Sequence, residues 1–304
     1  MDNAWFVIAN PISGSGNATP FIKELESFML ENGLKAEICD ADQKMAFERA
    51  MLGINKGFRK LLICGGDGTM NQVLNAIFHQ QVVVPEEILV SFIPFGTGND
   101  WVKSVAIPTD PKEALKLLIR QNERRIDIGY AECQWGEETK KAYFANIAGL
   151  GYDAFVVEGI QKQKRKMGKF TYLITLFRLL LKYKATQMQI QTATYQYTGK
   201  VFSACVGKGR FNGNGMEQCP HAKLDNGKLA VTVIKDLSVL EMLRETPRLY
   251  DGSFVKNEKI DTFSTEEIRI ASNPKVRLEC DGELLGFSPF YFKVLPGALR
   301  ILVP

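Results

Sequence analysis

The chain has 304 residues, 45% apolar and 24% charged, with a net charge of +4. That composition supplies a buried core, and the length fits one large domain or two ordinary ones. The mild charge, with no RNP-like aromatic motif and no zinc-finger spacing, excludes nucleic acid as a partner.

The six cysteines, at 39, 64, 133, 205, 219 and 280, form no CxxC pair, and several sit in apolar runs where a reduced buried thiol is expected. The opening MDNAWFVIANP lacks a basic segment followed by a long apolar stretch, so no secretory signal is read. The longest apolar run, Phe170 to Leu181, contains Arg178 and falls short of the ~20 residues a membrane span needs. The expectation is a soluble, cytoplasmic protein.

In chain order, strand patterns at 5–10, 34–39, 61–64 and 88–95 alternate with helix patterns at 20–32, 43–55, 69–79 and 111–121. This rhythm predicts an α/β domain whose parallel sheet carries helices on both faces. Ligands of such sheets bind beyond the strand C-termini. From Arg125 the texture changes. Strands are predicted at 125–132, 141–149, 186–199, 200–207, 227–234, 266–272, 275–280, 290–295 and 298–304, interrupted by helical patterns at about 153–184 and 238–246. This half is expected to be mainly antiparallel β, a sandwich or partial barrel. The predicted domains are 1–125 and 126–304, with the final strand, about 290–304, returning to the first.

Three Gly-rich loops follow strands of the first half: NPISGSG (10–16), GGDGT (65–69) and FGTGND (95–100). Glycine lets backbone approach a ligand closely, and a strand–turn–helix unit aims free N–H groups at an anion. Asp67 is the odd member, because a carboxylate repels phosphate unless it holds a cation or takes a proton. Both roles belong to phosphoryl transfer. The plainer reading is a tight turn with Asp67 as helix N-cap. The loops are neither a GxxxxGK[ST] P-loop nor GxGxxG, and the protein-kinase HRD and DFG motifs are absent.

GGDGTMNQVLNAI (65–77), PFGTGND (94–100) and the opening NP-SGSG resemble the diacylglycerol kinase catalytic family, which includes soluble bacterial lipid kinases and the sphingosine and ceramide kinases. GLGYDA (149–154), GKGRFNGNGM (207–216), HAKLDNGKLAV (221–231) and CDGE (280–283) fall in that family's order and spacing. The resemblance implies an N-terminal nucleotide domain similar to those of NAD kinase and phosphofructokinase, then a β-sandwich, with ATP and lipid headgroup meeting in the cleft between them. It implies ATP as co-substrate and Mg²⁺ as cofactor. Carried over, Asn10, Gly66, Asp67, Gly68, Thr69, Met70, Asn71, Gln72 and Thr97 contact the nucleotide. Asp67 and Glu283 are the catalytic carboxylates, and Asp67 also organises the nucleotide-bound Mg²⁺. Glu283 is favoured as base, since a hydroxyl nucleophile needs one; an Asp-Gly hairpin by itself needs no function.

The chain departs from the family pattern at Gln72, where Glu is usual, at Cys39-Asp40-Ala41-Asp42, and at Gly213-Asn214-Gly215-Met216. In some relatives a K-x-D-D-G turn holds a structural Mg²⁺; here Asn226 replaces the second Asp, so that site is expected to be weak or empty. The most direct reading is phosphorylation of diacylglycerol to phosphatidic acid. An NAD kinase-like phosphotransferase and a catalytically weak lipid- or nucleotide-binding regulator remain alternatives. Lys162, Lys164, Arg165, Lys166 and Lys169 lead the apolar run and Arg178, Lys182 and Lys184 close it, which suits peripheral contact with an anionic inner-membrane face as well as it suits a solvated turn before a core helix. A homodimer is compatible with this reading. His79 and His221 have no partner spacing and are read as ordinary residues.

Overall fold

The structure, a computed structural model, describes residues 3–10, 18–39, 45–96, 98–162 and 169–304, with side chains from 21 in the first helix and from 175 in the eighth. Thr97, residues 11–16 of the first loop, Asp40 to Asp42, and Lys164 to Lys166 therefore lie outside the described residues, as does the Lys169 side chain. The chain forms two units: residues 1–128, 224–227 and 295–304, and residues 129–223 with 228–294.

In the first unit, β1 (Trp5–Ala9), α1 (Ala18–Glu31), β2 (Ala36–Ile38), α2 (Ala46–Asn55), β3 (Lys60–Gly65), α3 (Asp67–His79) and β4 (Leu89–Pro94) follow one another. After them come α4 (Asp100–Val105), α5 (Pro111–Leu115), α6 (Leu117–Arg120) and the start of β5 (Glu123–Trp135). β1 pairs in parallel with β2 and β3, and β3 with β4. Arg300 and Ile301 then pair in parallel with Leu89 and Val90, adding a fifth strand beside β4. Phe6, Val7, Ile8, Leu61, Leu62 and Ile63 are all fully buried. Burial of successive residues, rather than alternate ones, is why these strands read as unbroken apolar runs. The helix expected over 111–121 is two short helices; the first opens at Pro111, with Asp110 Oδ1 accepting from Lys112 N at 2.8 Å.

The second unit continues β5 and adds β6 (Glu138–Phe144), β7 (Ile147–Gly151), α7 (Tyr152–Gln161), α8 (Lys169–Lys182), β8 (Thr186–Gln191), β9 (Gln196–Gly207) and β10 (Leu229–Lys235). Then follow α9 (Val239–Glu245), β11 (Ile260–Thr265), β12 (Glu267–Asn273), β13 (Arg277–Cys280) and β14 (Glu283–Leu302). Its pairings are antiparallel. β9 pairs with β8 through its first half and with β7 through its second; β14 pairs first with β13 and then with β12. With β7 joined to β13 and β8 to β12, the ring closes. Alternate residues face inward: Met188 and Ile190 from β8, Ile268 and Ile270 from β12, and Phe290 and Phe292 from β14 share one core. Gln187, Gln189 and Arg269 between them are exposed. The single helical pattern at 153–184 resolves into α7 and α8, and the single strand at 186–199 is the β8–β9 hairpin.

Candidate functional site

Two of the Gly-rich loops meet because neither carries a side chain at the crossing. A Cβ added at Gly66 would lie 2.9 Å from Gly96 Cα, and one at Gly96 would lie 2.7 Å from Gly66 Cα and 2.5 Å from Asn99 Oδ1. Phe95 N donates to Gly65 O at 2.7 Å, and Asn10 Nδ2 donates to Thr69 Oγ1 at 3.2 Å, tying in the end of β1. Gly66 is the N-cap of α3, and Asp67 opens the helix.

Asp67 caps a different helix. Its Oδ2 accepts from Asp100 N and its Oδ1 from Trp101 N, both at 3.2 Å. α4 is thereby capped from 33 residues upstream, while Asn99 itself sits in the left-handed region at φ 50° and donates Nδ2 to Gly96 O. Burial raises the Asp67 pKa; the two backbone N–H groups oppose that, Asp100 adds to it, and Lys103 opposes it. A Cβ on Gly98 would lie 3.4 Å from Asp67 Oδ2 and 3.6 Å from Asp100 Oδ2. Two carboxylates thus lie beside the Gly98 backbone, Asp100 also pairing with Lys103 at 2.8 Å, and such oxygen donors suit Mg²⁺ already carrying nucleotide oxygens.

The remaining sequence-derived nucleotide residues divide. Gly68 is half-buried beside Asp67. Thr69, Met70 and Asn71 are buried, and Asn75 Nδ2 reaches Asn71 Oδ1 at 3.3 Å. Gln72 Oε1 accepts Ala46 N at 2.9 Å, so its amide serves the first residue of α2.

Glu283 stands in the second unit, on the hairpin from β13 to β14. Asp281 and Gly282 both have positive φ, 49° and 88°, as a type I′ turn requires. The Asp281 carboxylate accepts backbone N–H groups from Ala145, Asn146 and Ile147 at 3.0, 3.1 and 2.9 Å. Sequence reading missed this positioning role; the one signal for it was the Asp of CDGE beside a strand pattern. Glu283 is exposed, yet partial desolvation raises its pKa.

The second unit also holds an apolar cavity of about 350 Å³. Val156, Ile160, Leu176, Phe202, Met242 and Leu249 are among its walls, and its polar lining includes Asp153, Ser203, Asn212, Gln218 and Glu279. The volume lies in the ~300–1,000 Å³ range of small-molecule sites. Asp153 is the Asp of GLGYDA, a motif whose spacing alone does not signal a place in this cavity.

At the 223–227 turn, Arg124 Nε and Nη2 donate to Asp225 Oδ2 at 3.2 and 2.8 Å. Gly227 N donates to Asp127 Oδ2 at 2.7 Å, and Asp127 Oδ1 accepts from Gly297 N at 2.9 Å. Among the described residues no group of three acidic, histidine or cysteine side chains could hold a metal by itself.

Residues 4–131 match the diacylglycerol kinase catalytic domain, and residues 146–303 match the YegS C-terminal NAD kinase β-sandwich-like domain. The chain is 25% identical over 300 residues to a diacylglycerol kinase of Mycobacterium tuberculosis, covering 98% of this chain and 94% of that one. It is 28% identical over 256 residues to a YegS-like protein of Stenotrophomonas maltophilia named a probable lipid kinase, covering 83% and 81%. A crystal structure of a diacylglycerol kinase from Bacillus anthracis superposes with a TM-score of 0.73 at 17% identity, covering 99% of this chain and 97% of that one, which shows the shared fold. The chain belongs to the family that joins a diacylglycerol kinase catalytic domain to a YegS-type β-sandwich-like domain, and it is an ATP-dependent lipid kinase.

Proposed function

We propose that the lipid phosphorylated is diacylglycerol and the product phosphatidic acid. The observation that carries this reading is the apolar cavity of the second unit, suited to acyl chain and lined, among the described residues, by no Lys, Arg or His. The backbone of the Gly66 and Gly96 loops receives the phosphates of ATP, with Asn10, Asp67, Gly68, Thr69, Met70, Asn71, Gln72 and Thr97 forming the nucleotide site. Glu283 takes the proton of the lipid hydroxyl, because its raised pKa brings it nearer to the working pH of a general base. Asp67 holds Mg²⁺, which when bound supplies charge neutralisation on the phosphate oxygens. The two units divide this labour as nucleotide domain and lipid domain.

The enzyme works at a bilayer surface as a peripheral protein. No helix among the described residues is long and apolar enough to cross a membrane. The second unit nevertheless exposes Phe177 and Leu181 on α8 and Leu240 and Leu243 on α9, with Leu240 80% exposed. Arg178, Lys182 and Arg244 are exposed on the same helices. Apolar residues interleaved with cations suit an anionic bilayer.

Label moving from γ-labelled ATP into chloroform-extractable phosphatidic acid, with dioctanoylglycerol as acceptor, tests the assignment. Label entering a sphingoid base or ceramide but not dioctanoylglycerol would replace the substrate while leaving the kinase.

A further inference from the structure

The cavity of the second unit meets acids without a base. Asp153 Oδ2 accepts from Ser203 Oγ at 2.5 Å and Cys205 Sγ at 3.1 Å, and its Oδ1 accepts from Gln218 Nε2 at 3.0 Å. Glu279 is 1% exposed. Its Oε2 accepts from Gly282 N at 2.8 Å, while its Oε1 is buried with no hydrogen-bond partner among the described residues. Asn212 stands close enough to favour the ionised form of Glu279; one hydrogen of its amide goes to Gln218 Oε1 at 3.2 Å, and no contact of hydrogen-bond geometry joins the other to Oε1. Gly149 leaves the space around both acids, since a Cβ there would fall 2.5 Å from Glu279 Oε1 and 2.8 Å from Asp153 Cβ.

Two interacting buried carboxyls with no cation beside them among the described residues do not both ionise. Asp153 faces three donor groups, Gln218 Nε2 and the single hydrogens of Ser203 Oγ and Cys205 Sγ, which also have Leu150 O and Gln218 Oε1 in reach, and it is the better place for the charge. Glu279 has one close N–H donor, and burial together with the Asp153 charge pushes its pKa well up. The proton therefore resides on Glu279. Because Oε2 is the acceptor for Gly282, the hydroxyl is Oε1, the atom without a partner. A buried O–H in a mainly apolar cavity calls for an acceptor from whatever enters. An ester carbonyl is such an acceptor; an ether oxygen is a weaker one, and an ammonium group offers none.

We propose that Glu279 is a specificity-determining residue, whose Oε1 hydroxyl donates to an ester carbonyl of the bound lipid and so selects ester-linked over ether-linked glycerolipids. This rests on the cavity being the lipid site. Selection happens in binding, before phosphoryl transfer, and can be measured without ATP.

The experiment compares 1,2-dioctanoylglycerol with 1,2-di-O-octylglycerol on the full chain, first by calorimetric binding without nucleotide and then as acceptors of label from ATP. The wild-type protein should bind the diester about tenfold more tightly, the scale of one hydrogen bond to a buried group. Glu279→Gln should keep that ratio, because its amide carries both a donor for the carbonyl and an acceptor for Gly282 N. Glu279→Leu should bring the ratio to about one. Equal binding of diester and diether by the wild type overturns the proposal, as does loss of the ratio in a folded Glu279→Gln. Tighter binding of sphingosine than of the diester also overturns it, because an ionised Glu279 is then the reader. If Glu279→Leu does not fold, the wild-type ratio and Glu279→Gln decide alone. A tenfold binding preference without label transfer upholds the selectivity and defeats the diacylglycerol assignment; equal binding and equal transfer do the reverse. Binding of neither lipid defeats both.

Discussion

Trp101 N donates to Asp67 Oδ1 at 3.2 Å, so the carboxylate proposed to hold Mg²⁺ also fixes the start of α4. Removing it should therefore leave two marks. Asp67→Ala should lower kcat by ~10²-fold or more, the scale of losing an electrostatic partner at the reacting phosphate. It should also cost about 1 kcal/mol of stability, as a lost N-cap does. Turnover and chemical unfolding of the same preparation check both. Near-normal turnover with reduced stability would leave Asp67 as a capping residue only.

The approach of Gly66 to Gly96 predicts an effect of one methyl group. Gly96→Ala places a Cβ 2.5 Å from Asn99 Oδ1 and 2.7 Å from a backbone carbon, and backbone cannot swing aside like a side-chain tip. The two loops must part, and the KM for ATP should rise about tenfold or more, given that ~1 Å of misplacement can cost 10²-fold. Steady-state kinetics with varied ATP reads it out, and an unchanged KM removes these loops from the nucleotide site.

Asp281 holds the Glu283 hairpin through three backbone N–H groups. Asp281→Ala leaves those donors unpaired and should destabilise by about 1–3 kcal/mol. Its kcat should fall while the KM for ATP stays unchanged, because the loops proposed to hold the nucleotide lie elsewhere in the chain. A rise in KM for ATP equal to the fall in kcat would contradict the positioning role.

The pKa values of Asp67 and Glu283 are both raised by desolvation, and both groups act ionised in the proposed chemistry. As pH falls, each takes up a proton at a higher pH than the ~3.9–4.3 of ordinary carboxyls. The acid limb of log kcat/KM should start above that range and steepen toward a slope of two. In Glu283→Gln the limb should keep a slope of one, on an activity ~10²-fold lower. A limb unchanged in this variant would show that Glu283 is not the base.

Membrane contact is checked by co-sedimentation with vesicles. Binding should rise with the anionic lipid fraction and fall when Leu240 and Leu243 are both replaced by Asn. It should also fall when Arg178 and Lys182 become Gln, at about 1 kcal/mol per cation. Indifference to both changes excludes the α8–α9 surface. At the 223–227 turn, where Arg124 already neutralises Asp225, thermal stability should be unchanged by EDTA.

Contiguous apolar runs in β1, β3 and β4, and the alternation in β8 and β12, made the strands readable from sequence because burial imposes those periods directly. The loops GGDGT and FGTGND were readable for the same kind of reason, since glycine is what two backbones at contact distance require. α4 was not readable, because its cap comes from Asp67 rather than from a neighbouring residue. The bond from Ala46 N to Gln72 was not readable either, because it depends on the packing of α2 against α3. Asp281 escaped notice because its partners lie more than a hundred residues away, and Glu279 because its Oε1 has no hydrogen-bond partner among the described residues.

The late position of residues 295–302 bears on how the protein is made. Leu299, Ile301 and Leu302 are buried and extend the first unit's sheet beside β4, yet the ribosome produces them after the whole second unit. The nascent first unit emerges with one edge of its sheet uncovered and waits through the synthesis of some 165 residues, at ~5–20 residues per second, before that edge is closed. Native-like protease resistance of the first unit should therefore appear only when translation has passed Leu302, and a chain stalled at residue 290 should present β4 to chaperones or to other nascent chains.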